Sequence, residues 1–338
     1  MKKIFFDAII ALCTLCCITS CETDIEALDI VVPDEPSDEY YANLRAYKAT
    51  MKDREIWFGW FGGWKANSAS MMTYLDSAPD SCDIISIWGD YQNLSEAQLK
   101  DLRHVQQMKG TKVTYTIFAH EIPEEFMGGE NKDQVTQEGI NAYVKSLIDV
   151  MNQYGYDGID LDYEPGFGGS GPLVSWPGHY ENMEMFVKAL GKYIGPKSGT
   201  GKLLIIDGVP FHLKEGLHEY FDYGVVQAYS SWGYADLQSR FDNAAANGWT
   251  PEKYIFAETF EGGHYIQGGP CMHTLRDGTQ VPSLEGMARF LPMYKGKLAK
   301  RKGGCGTYHM ENDYQSTPNY KWTRNAIRIM DERNNSNK

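Results

Sequence analysis

The sequence predicts an α/β fold, a (β/α)8 barrel in a single domain. Eight short runs rich in Val, Ile, Tyr and Phe recur along the chain, and amphipathic helical patterns lie between them. Strands that alternate with helices form a parallel sheet with right-handed crossovers. The 338 residues suffice for one large domain. Eight strands favour closure into a barrel, and an open doubly wound sheet is the alternative.

The first twenty residues predict a secretory signal peptide, residues 1–20. Lys2 and Lys3 precede an apolar run over residues 4–18, which is too short and too interrupted to span a membrane. The small residues before Cys21 resemble a bacterial lipoprotein processing site, at which Cys21 becomes the lipidated N-terminus. The resemblance implies a lipid-anchored protein of the cell envelope, at the outer membrane and exposed on the cell surface.

An acidic segment follows, and residues 21–44 are predicted to be an extended tether. Residues 22–44 contain eight acidic and no basic side chains. Such a stretch repels itself and buries no core. We therefore expect the barrel to comprise residues 45–338.

Charge and cysteine content exclude several partners and cofactors. A net charge of −13 argues against nucleic acid, and membrane contact is expected only through the N-terminal lipid. Once the signal peptide is removed and Cys21 is acylated, Cys82, Cys271 and Cys305 remain, without the spacing of a zinc site or a disulfide framework. No Gly-x-Gly-x-x-Gly follows the first strand. We expect neither a metal nor a cofactor.

The strand and helix candidates alternate in chain order. The strand candidates are residues 56–60, 84–88, 112–118, 158–163, 203–209, 224–229, 254–259 and 306–310. The helical patterns cover residues 94–108, 140–151, 183–194, 284–298 and 322–330, with a weaker one around residue 241. Ser95 and Thr136 are the expected N-terminal caps of the first two helices.

The strongest functional signal lies in the fourth strand. Residues 157–164 read Asp-Gly-Ile-Asp-Leu-Asp-Tyr-Glu. Since strand side chains alternate between faces, Asp160, Asp162 and Glu164 share one face, about 6.5 Å apart per step. Buried carboxylates need partners or raised pKa values. Asp157 lies at the entry of the strand, and Glu164 lies nearest the carboxyl end, where barrels carry their active sites.

This run resembles the DxxDxDxE signature of glycoside hydrolase family 18, which contains chitinases and endo-β-N-acetylglucosaminidases. All four acids are in register, on the strand where the family carries them. The resemblance covers roughly residues 50–335 and implies a (β/α)8 barrel.

The resemblance also implies substrate-assisted catalysis, in which the 2-acetamido oxygen of the sugar attacks the anomeric carbon. Glu164 is then the general acid, and burial should raise its pKa. Asp162 orients the acetamido N–H, and Asp160 shares a proton with Asp162 because close like charges do not both ionise. Asp157 is expected to be structural.

Two further strands carry matches to the family. The sixth strand contains Gln227 and Tyr229, and Gln-x-Tyr resembles the endo-β-N-acetylglucosaminidases, whereas chitinases usually have Met-x-Tyr. The resemblance makes Gln227 a substrate-binding residue and lets the Tyr229 hydroxyl hold the acetamido oxygen. On the eighth strand Tyr308 stands where the family commonly has Trp as the floor of the sugar site.

Aromatic residues and a short loop predict the shape of the binding surface. Trp60, Trp88, Trp232 and Tyr115 are further candidate substrate-binding residues, since flat rings stack on sugars. The segment from residue 261 to residue 282 is too short for the α+β insertion of chitinases with deep clefts. The groove should therefore be shallow and open.

These patterns together predict a retaining endo-β-N-acetylglucosaminidase that cuts the N,N′-diacetylchitobiose core of N-linked glycans. Its partner is then an N-acetylglucosamine-containing glycan or glycoprotein. A chitinase or chito-oligosaccharide hydrolase is one alternative, and a non-catalytic glycan-binding lipoprotein on the same barrel is the other.

Overall fold

A closed barrel of eight parallel strands forms the centre of the protein, and the predicted (β/α)8 fold is confirmed. The computed structural model describes residues 36–174 and 180–336. Each strand pairs with the next in chain order, and the last pairs with the first. The strands are β1 Ile56–Phe61, β2 Ile84–Ile87, β3 Lys112–Phe118, β4 Gly158–Tyr163, β5 Leu203–Gly208, β6 Tyr223–Gln227, β7 Tyr254–Thr259 and β8 Gly304–Tyr308. Closure excludes the open-sheet alternative.

Helices surround the barrel. They are α1 Asp38–Ala49, α2 Glu96–Gln107, α3 Gln137–Tyr154, α4 Glu181–Leu190, α5 Tyr234–Ala246, α6 Ser283–Arg289 and α7 Lys321–Ser336. The hydroxyls of Ser95 and Thr136 accept from backbone N–H groups in the first turns of α2 and α3, so both predicted caps are confirmed. None of the described helices combines the length and apolarity needed to cross a membrane.

The N-terminal boundary differs from the prediction. The signal peptide, Cys21 and the tether up to residue 35 lie outside the described residues. Residues 38–44, expected to be extended, form the start of α1 instead. Two acidic residues in the first turn favour a helix N-terminus, and Tyr41 is buried. The compact unit that contains the barrel therefore starts at Asp38.

The helix predicted over residues 284–298 is also shorter than expected. Helix α6 ends at Arg289, and Phe290 is already extended. Pro292 follows closely, and a proline disfavours helical backbone in the residue before it. A small hairpin of Met293–Tyr294 and Lys297–Leu298 takes up the rest. A second hairpin, Met272–Thr274 with Gln280–Pro282, and a short 3-10 segment are the only regular elements between β7 and α6.

Strand alternation separates an inner from an outer core. On β4, Ile159, Leu161 and Tyr163 pack outward against the helices, while Asp160 and Asp162 point inward. The inner apolar cluster fills the lower barrel and comprises Ile56, Phe58, Trp60, Ile84, Leu203, Ile205, Tyr223, Val225, Ile255 and Ala257. The interior is packed, so substrate has access only above this layer.

Ion pairs close the amino-terminal end of the barrel. Glu55, fully buried before β1, accepts from Lys302 Nζ at 3.1 Å and from Arg333 Nε at 2.8 Å. Arg54 beside it pairs with Asp83. Every one of these buried charges therefore has a partner of opposite sign.

Candidate active site

Strand β4 carries a ladder of acids toward the carboxyl end of the barrel. Asp160 is fully buried and Asp162 is 3% exposed. Glu164 follows the last residue of β4 and is half-buried at the rim. Asp157 lies at the opposite end, where it accepts from Gln106 Nε2 and the backbone N–H of residue 113. The ladder thus lies on one wall, and Asp157 is separate from it.

Asp160 is held at the bottom of the ladder. Its Oδ2 accepts from Trp60 Nε1 at 2.9 Å and from Thr116 Oγ1 at 3.1 Å. Burial raises the pKa of Asp160 to about 6, although these two donors oppose the shift. Trp60 is 1% exposed, so its predicted role as a sugar platform is wrong. Its indole serves to anchor Asp160.

Asp162 and Glu164 both have raised pKa values. Burial, followed by the charges of Glu164 and Asp160, raises the pKa of Asp162 to about 8. Burial is also the largest cause of the raised pKa of Glu164, in accordance with the sequence prediction. A protonated carboxyl at the rim can donate a proton to a bound group. The buried carboxyl group of Asp162 beneath it can accept a hydrogen bond from an amide.

A fourth inward-facing acid, Asp207 on β5, is a site residue that the sequence analysis missed. It lies beside Asp162 in the β4–β5 register and is fully buried. Gly208 after it has φ +88°, and a Cβ there would lie 2.9 Å from Glu164 Cγ. Glycine therefore leaves room for the general-acid candidate. One sequence signal was available, because Asp207 is the single charged residue in an otherwise apolar strand.

Gln227 links these acids across the barrel. Its Nε2 donates to Asp207 Oδ1 at 3.0 Å and lies 3.5 Å from Asp162 Oδ1. Tyr229, two residues further along, is half-buried. Burial and then the charge of Asp207 raise its pKa well above the ordinary range, so its hydroxyl stays protonated and can donate. The structure therefore brings Gln227 and Tyr229 to the ladder.

Aromatic rings line the rim next to the acids. Tyr308 at the end of β8 lies 5.4 Å from Trp88, 6.2 Å from Trp60 and 6.2 Å from Tyr229, between ring centroids. Trp88 in turn contacts Phe118, which is 57% exposed at the end of β3 and was not predicted. The exposed faces of these rings can stack on sugar rings.

The remaining predicted aromatics lie in different places. Trp232, in the loop after β6, is 65% exposed. Tyr115 faces outward from β3, stacks on Tyr91 and donates its hydroxyl to the carbonyl of Leu147 at 2.7 Å. Its predicted role in substrate binding is therefore wrong. The cause is strand parity, because Tyr115 alternates with the inward-facing Thr114 and Thr116.

The site offers carboxyl, amide and phenol groups rather than a metal-binding cluster. Over residues 36–174 and 180–336, no three His, Cys, Asp or Glu side chains are placed to hold a metal ion. The described cysteines, Cys82, Cys271 and Cys305, are free thiols. The chemistry that the residues support is proton transfer and hydrogen bonding to an amide-bearing sugar.

Comparison with known sequences identifies the same family as the acid motif. The family described as "Glycoside hydrolase family 18, BT1044-like" matches residues 23–329. Endo-β-N-acetylglucosaminidase F2 of Elizabethkingia meningoseptica is 27% identical over 318 residues, which covers 86% of this chain and 85% of the relative.

Solved structures show the same architecture. A selenomethionine form of BT1044 with a glutamate-to-glutamine substitution superimposes with a TM-score of 0.75 at 28% identity, covering 87% of this chain and 93% of that one. An endo-β-N-acetylglucosaminidase from Cordyceps militaris, as a double mutant with fucosyl-N-acetylglucosamine-Asn, gives a TM-score of 0.62 at 21% identity, covering 88% and 97%. At 21% identity, the comparison with the Cordyceps militaris enzyme shows that the two proteins share a fold.

Proposed function

Because the chain belongs to glycoside hydrolase family 18 and is a glycoside hydrolase, we propose that it cuts the β-1,4 bond within the N,N′-diacetylchitobiose core of N-linked glycans, with retention. The observation that carries the proposal is the acid ladder. Glu164 stands at the rim above the desolvated Asp162, and Gln227 spans Asp162 and Asp207. A sugar bound at this rim would meet a proton donor and an amide acceptor on the same wall.

The placement of the acids on one strand favours substrate assistance. A retaining enzyme with its own nucleophile holds two carboxyl groups about 5–5.5 Å apart, flanking the scissile bond. Here Asp162 and Glu164 rise from the same wall, two residues apart on one strand, about 6.5 Å per step. The nucleophile that we propose is the acetamido oxygen of the substrate.

Two steps follow from this arrangement. Glu164 gives its proton to the leaving oxygen while the acetamido oxygen bonds to the anomeric carbon and the glycosidic bond breaks. Asp162 accepts the acetamido N–H, and this hydrogen bond orients the acetamido group and stabilises the oxazolinium ring. Water then attacks the anomeric carbon from the face that the leaving group vacated and passes a proton to Glu164, while the bond from that carbon to the acetamido oxygen breaks and the acetamido group re-forms. Two inversions at one carbon give net retention.

Other features support a branched glycan rather than a crystalline polymer. Only a short 3-10 segment and one hairpin lie between β7 and α6, so no inserted subdomain deepens the groove. Gln227 replaces the Met typical of chitinases of the family. The curated relative carries the name of an endo-β-N-acetylglucosaminidase.

Mass spectrometry of a treated glycoprotein tests this function. The chain without residues 1–21 is incubated with a high-mannose glycoprotein, a complex glycoprotein and chitotetraose. A single N-acetylglucosamine left on the protein supports the proposal. Release of chitobiose from chitotetraose alone would replace it with chitinase activity, and binding without cleavage of any substrate would contradict it. The variant Glu164→Gln, which lacks the proton donor, should release far less glycan. Glu124→Gln, at an exposed glutamate outside the ladder, is its control.

We also propose that Cys21 is acylated and anchors the enzyme at the outer surface of the cell envelope. The support is the sequence before and after Cys21, which lies outside the described residues. Growth with a labelled fatty acid should label the wild-type protein and leave Cys21→Ser unlabelled. Equal labelling of both, or labelling of neither, would contradict the anchor.

A further inference from the structure

Three carboxyl groups share one dry pit beneath the general-acid candidate. Asp160 and Asp162 come from β4, and Asp207 comes from the neighbouring position on β5. All three are at most 3% exposed. Adjacent strands lie about 4.8 Å apart, so the carboxyl groups are too close to carry three charges together.

The hydrogen bonds leave two oxygens without a donor among the described residues. Asp160 Oδ2 accepts from Trp60 and Thr116, and Asp207 Oδ1 accepts from Gln227. Asp160 Oδ1 and Asp207 Oδ2 are buried and accept from no N–H or hydroxyl donor. The two carboxyl groups are within hydrogen-bonding reach of each other. One proton between them satisfies both oxygens at once.

The surroundings decide which group holds that proton. Asp160 accepts two hydrogen bonds on Oδ2, and these stabilise its charged form. Asp207 accepts one, from an uncharged amide. Burial and then the charges of Asp160 and Asp162 raise the pKa of Asp207 well above its ordinary value. Tyr229 is a further titratable group that faces Asp207. No described cation forms an ion pair with Asp207.

We propose that Asp207 is a positioning residue that keeps its proton and donates a hydrogen bond to Asp160, which leaves Asp162 free to accept the acetamido N–H of the substrate. The inference rests on the proposed function. The sequence analysis expected Asp160 and Asp162 to share a proton. In the present proposal, Asp207 donates the proton in the hydrogen bond to Asp160 instead. Asp207 acts through Asp160 and Asp162 and has no exposed surface for a sugar.

Two substitutions at this position separate the proton from the carboxyl group. Asp207→Asn retains an acceptor for Gln227 and an N–H donor for Asp160, so kcat should stay within about tenfold of the wild-type value. Asp207→Ala removes the donor, and kcat should fall roughly 10- to 100-fold while KM changes little.

Carboxyl carbon NMR of aspartate-labelled protein gives a readout that needs no activity. The Asp207 signal, assigned as the one missing in Asp207→Asn, should keep the shift of a protonated acid at neutral pH. An ionised Asp207 would overturn the proposal. So would Asp207→Asn that is folded by circular dichroism and as impaired as Asp207→Ala, or Asp207→Ala with wild-type kcat. If Asp207→Ala does not fold, the Asn variant and the NMR titration still decide.

The same measurements separate this inference from the proposed function. If wild type cleaves none of the glycans, the proposed function fails, and the NMR titration still reports where the proton lies. If wild type cleaves the glycoprotein and Asp207 is ionised, only the role of Asp207 fails.

Discussion

The two ends of the barrel bury acids in opposite ways. At the amino-terminal end, Glu55 lies between Lys302 and Arg333. At the carboxyl-terminal end, Asp160, Asp162 and Asp207 are equally buried, and no described Lys or Arg forms an ion pair with them. The first end neutralises its charge with cations, whereas the second has raised pKa values, so that Asp162 and Asp207 retain protons beside Asp160.

The pKa values express this difference. Burial alone would raise the pKa of Glu55, but the charges of Lys302 and Arg333 lower it. Burial, followed by the charges of the neighbouring acids Glu164 and Asp160, raises the pKa of Asp162 to about 8. The closed end stabilises the fold, and the open end stores protons that a reaction can use. Four predictions test this contrast.

The largest effect is expected for Glu164→Gln. The substitution keeps the shape of the rim and removes the proton donor, so kcat should fall by about 10²–10⁴-fold. The melting temperature should not fall, because burial already disfavours the charged form of Glu164. Glycan release and thermal unfolding are measured together, with Glu124→Gln as the control. Near-normal kcat would remove Glu164 from its assigned role.

Lys302→Met should lower the stability of the protein and leave its activity unchanged. The substitution leaves Glu55 with Arg333 as its remaining cation, and breaking a buried ion pair costs up to about 3–5 kcal/mol. Urea unfolding measures this decrease in the free energy of unfolding, with the exposed Lys297→Met as control. The folded fraction should keep wild-type kcat, since Lys302 is at the far end of the barrel. A variant as stable as wild type would show that the closed end does not depend on this pair.

Asp162→Asn should be less active than wild type. At alkaline pH it should also be more stable. The native state holds a proton up to about pH 8, whereas the ordinary aspartate pKa is 3.8. The native state therefore binds more protons than the unfolded chain between these values, and stability from this group falls as pH rises.

Urea unfolding of Asp162→Asn measures that pH dependence. The free energy of unfolding should exceed that of wild type by up to about 5 kcal/mol at pH 8, and the gain should shrink as the pH approaches 4. Asp133→Asn, in an exposed loop, serves as the control. A gain that does not vary with pH would mean that the proton on Asp162 is not the cause.

Trp232→Ala should have the smallest effect. The ring is 65% exposed in the loop after β6, at the carboxyl end of the barrel, so its loss removes a candidate stacking surface and leaves the acids in place. KM for the glycan should rise about 2- to 10-fold with kcat retained, because aromatic stacking contributes about 0.5–1.5 kcal/mol. Leu298→Ala, an exposed residue in a hairpin, is the control. An unchanged KM would place the sugar away from this loop.

The sequence predicted the parts of the site that depend on local patterns. Strand alternation was enough to place Asp160, Asp162 and Glu164 on one wall and to separate Asp157 from them. It also contained the information that Tyr115 faces outward, since Thr114 and Thr116 lie on the other face. Asp207 was missed because a single acid in an apolar strand carries no motif.

The sequence by itself determined the eight-strand barrel, the family and the acid ladder, because periodicity and motif spacing are properties of one segment at a time. The tertiary structure decided which strands meet. It placed Asp207 beside Asp162 and brought Trp60 from β1 to Asp160. It also left the three buried aspartates without an ion-paired Lys or Arg among the described residues. Contacts between distant segments arise only when the barrel closes, and those contacts set the protonation of the acids.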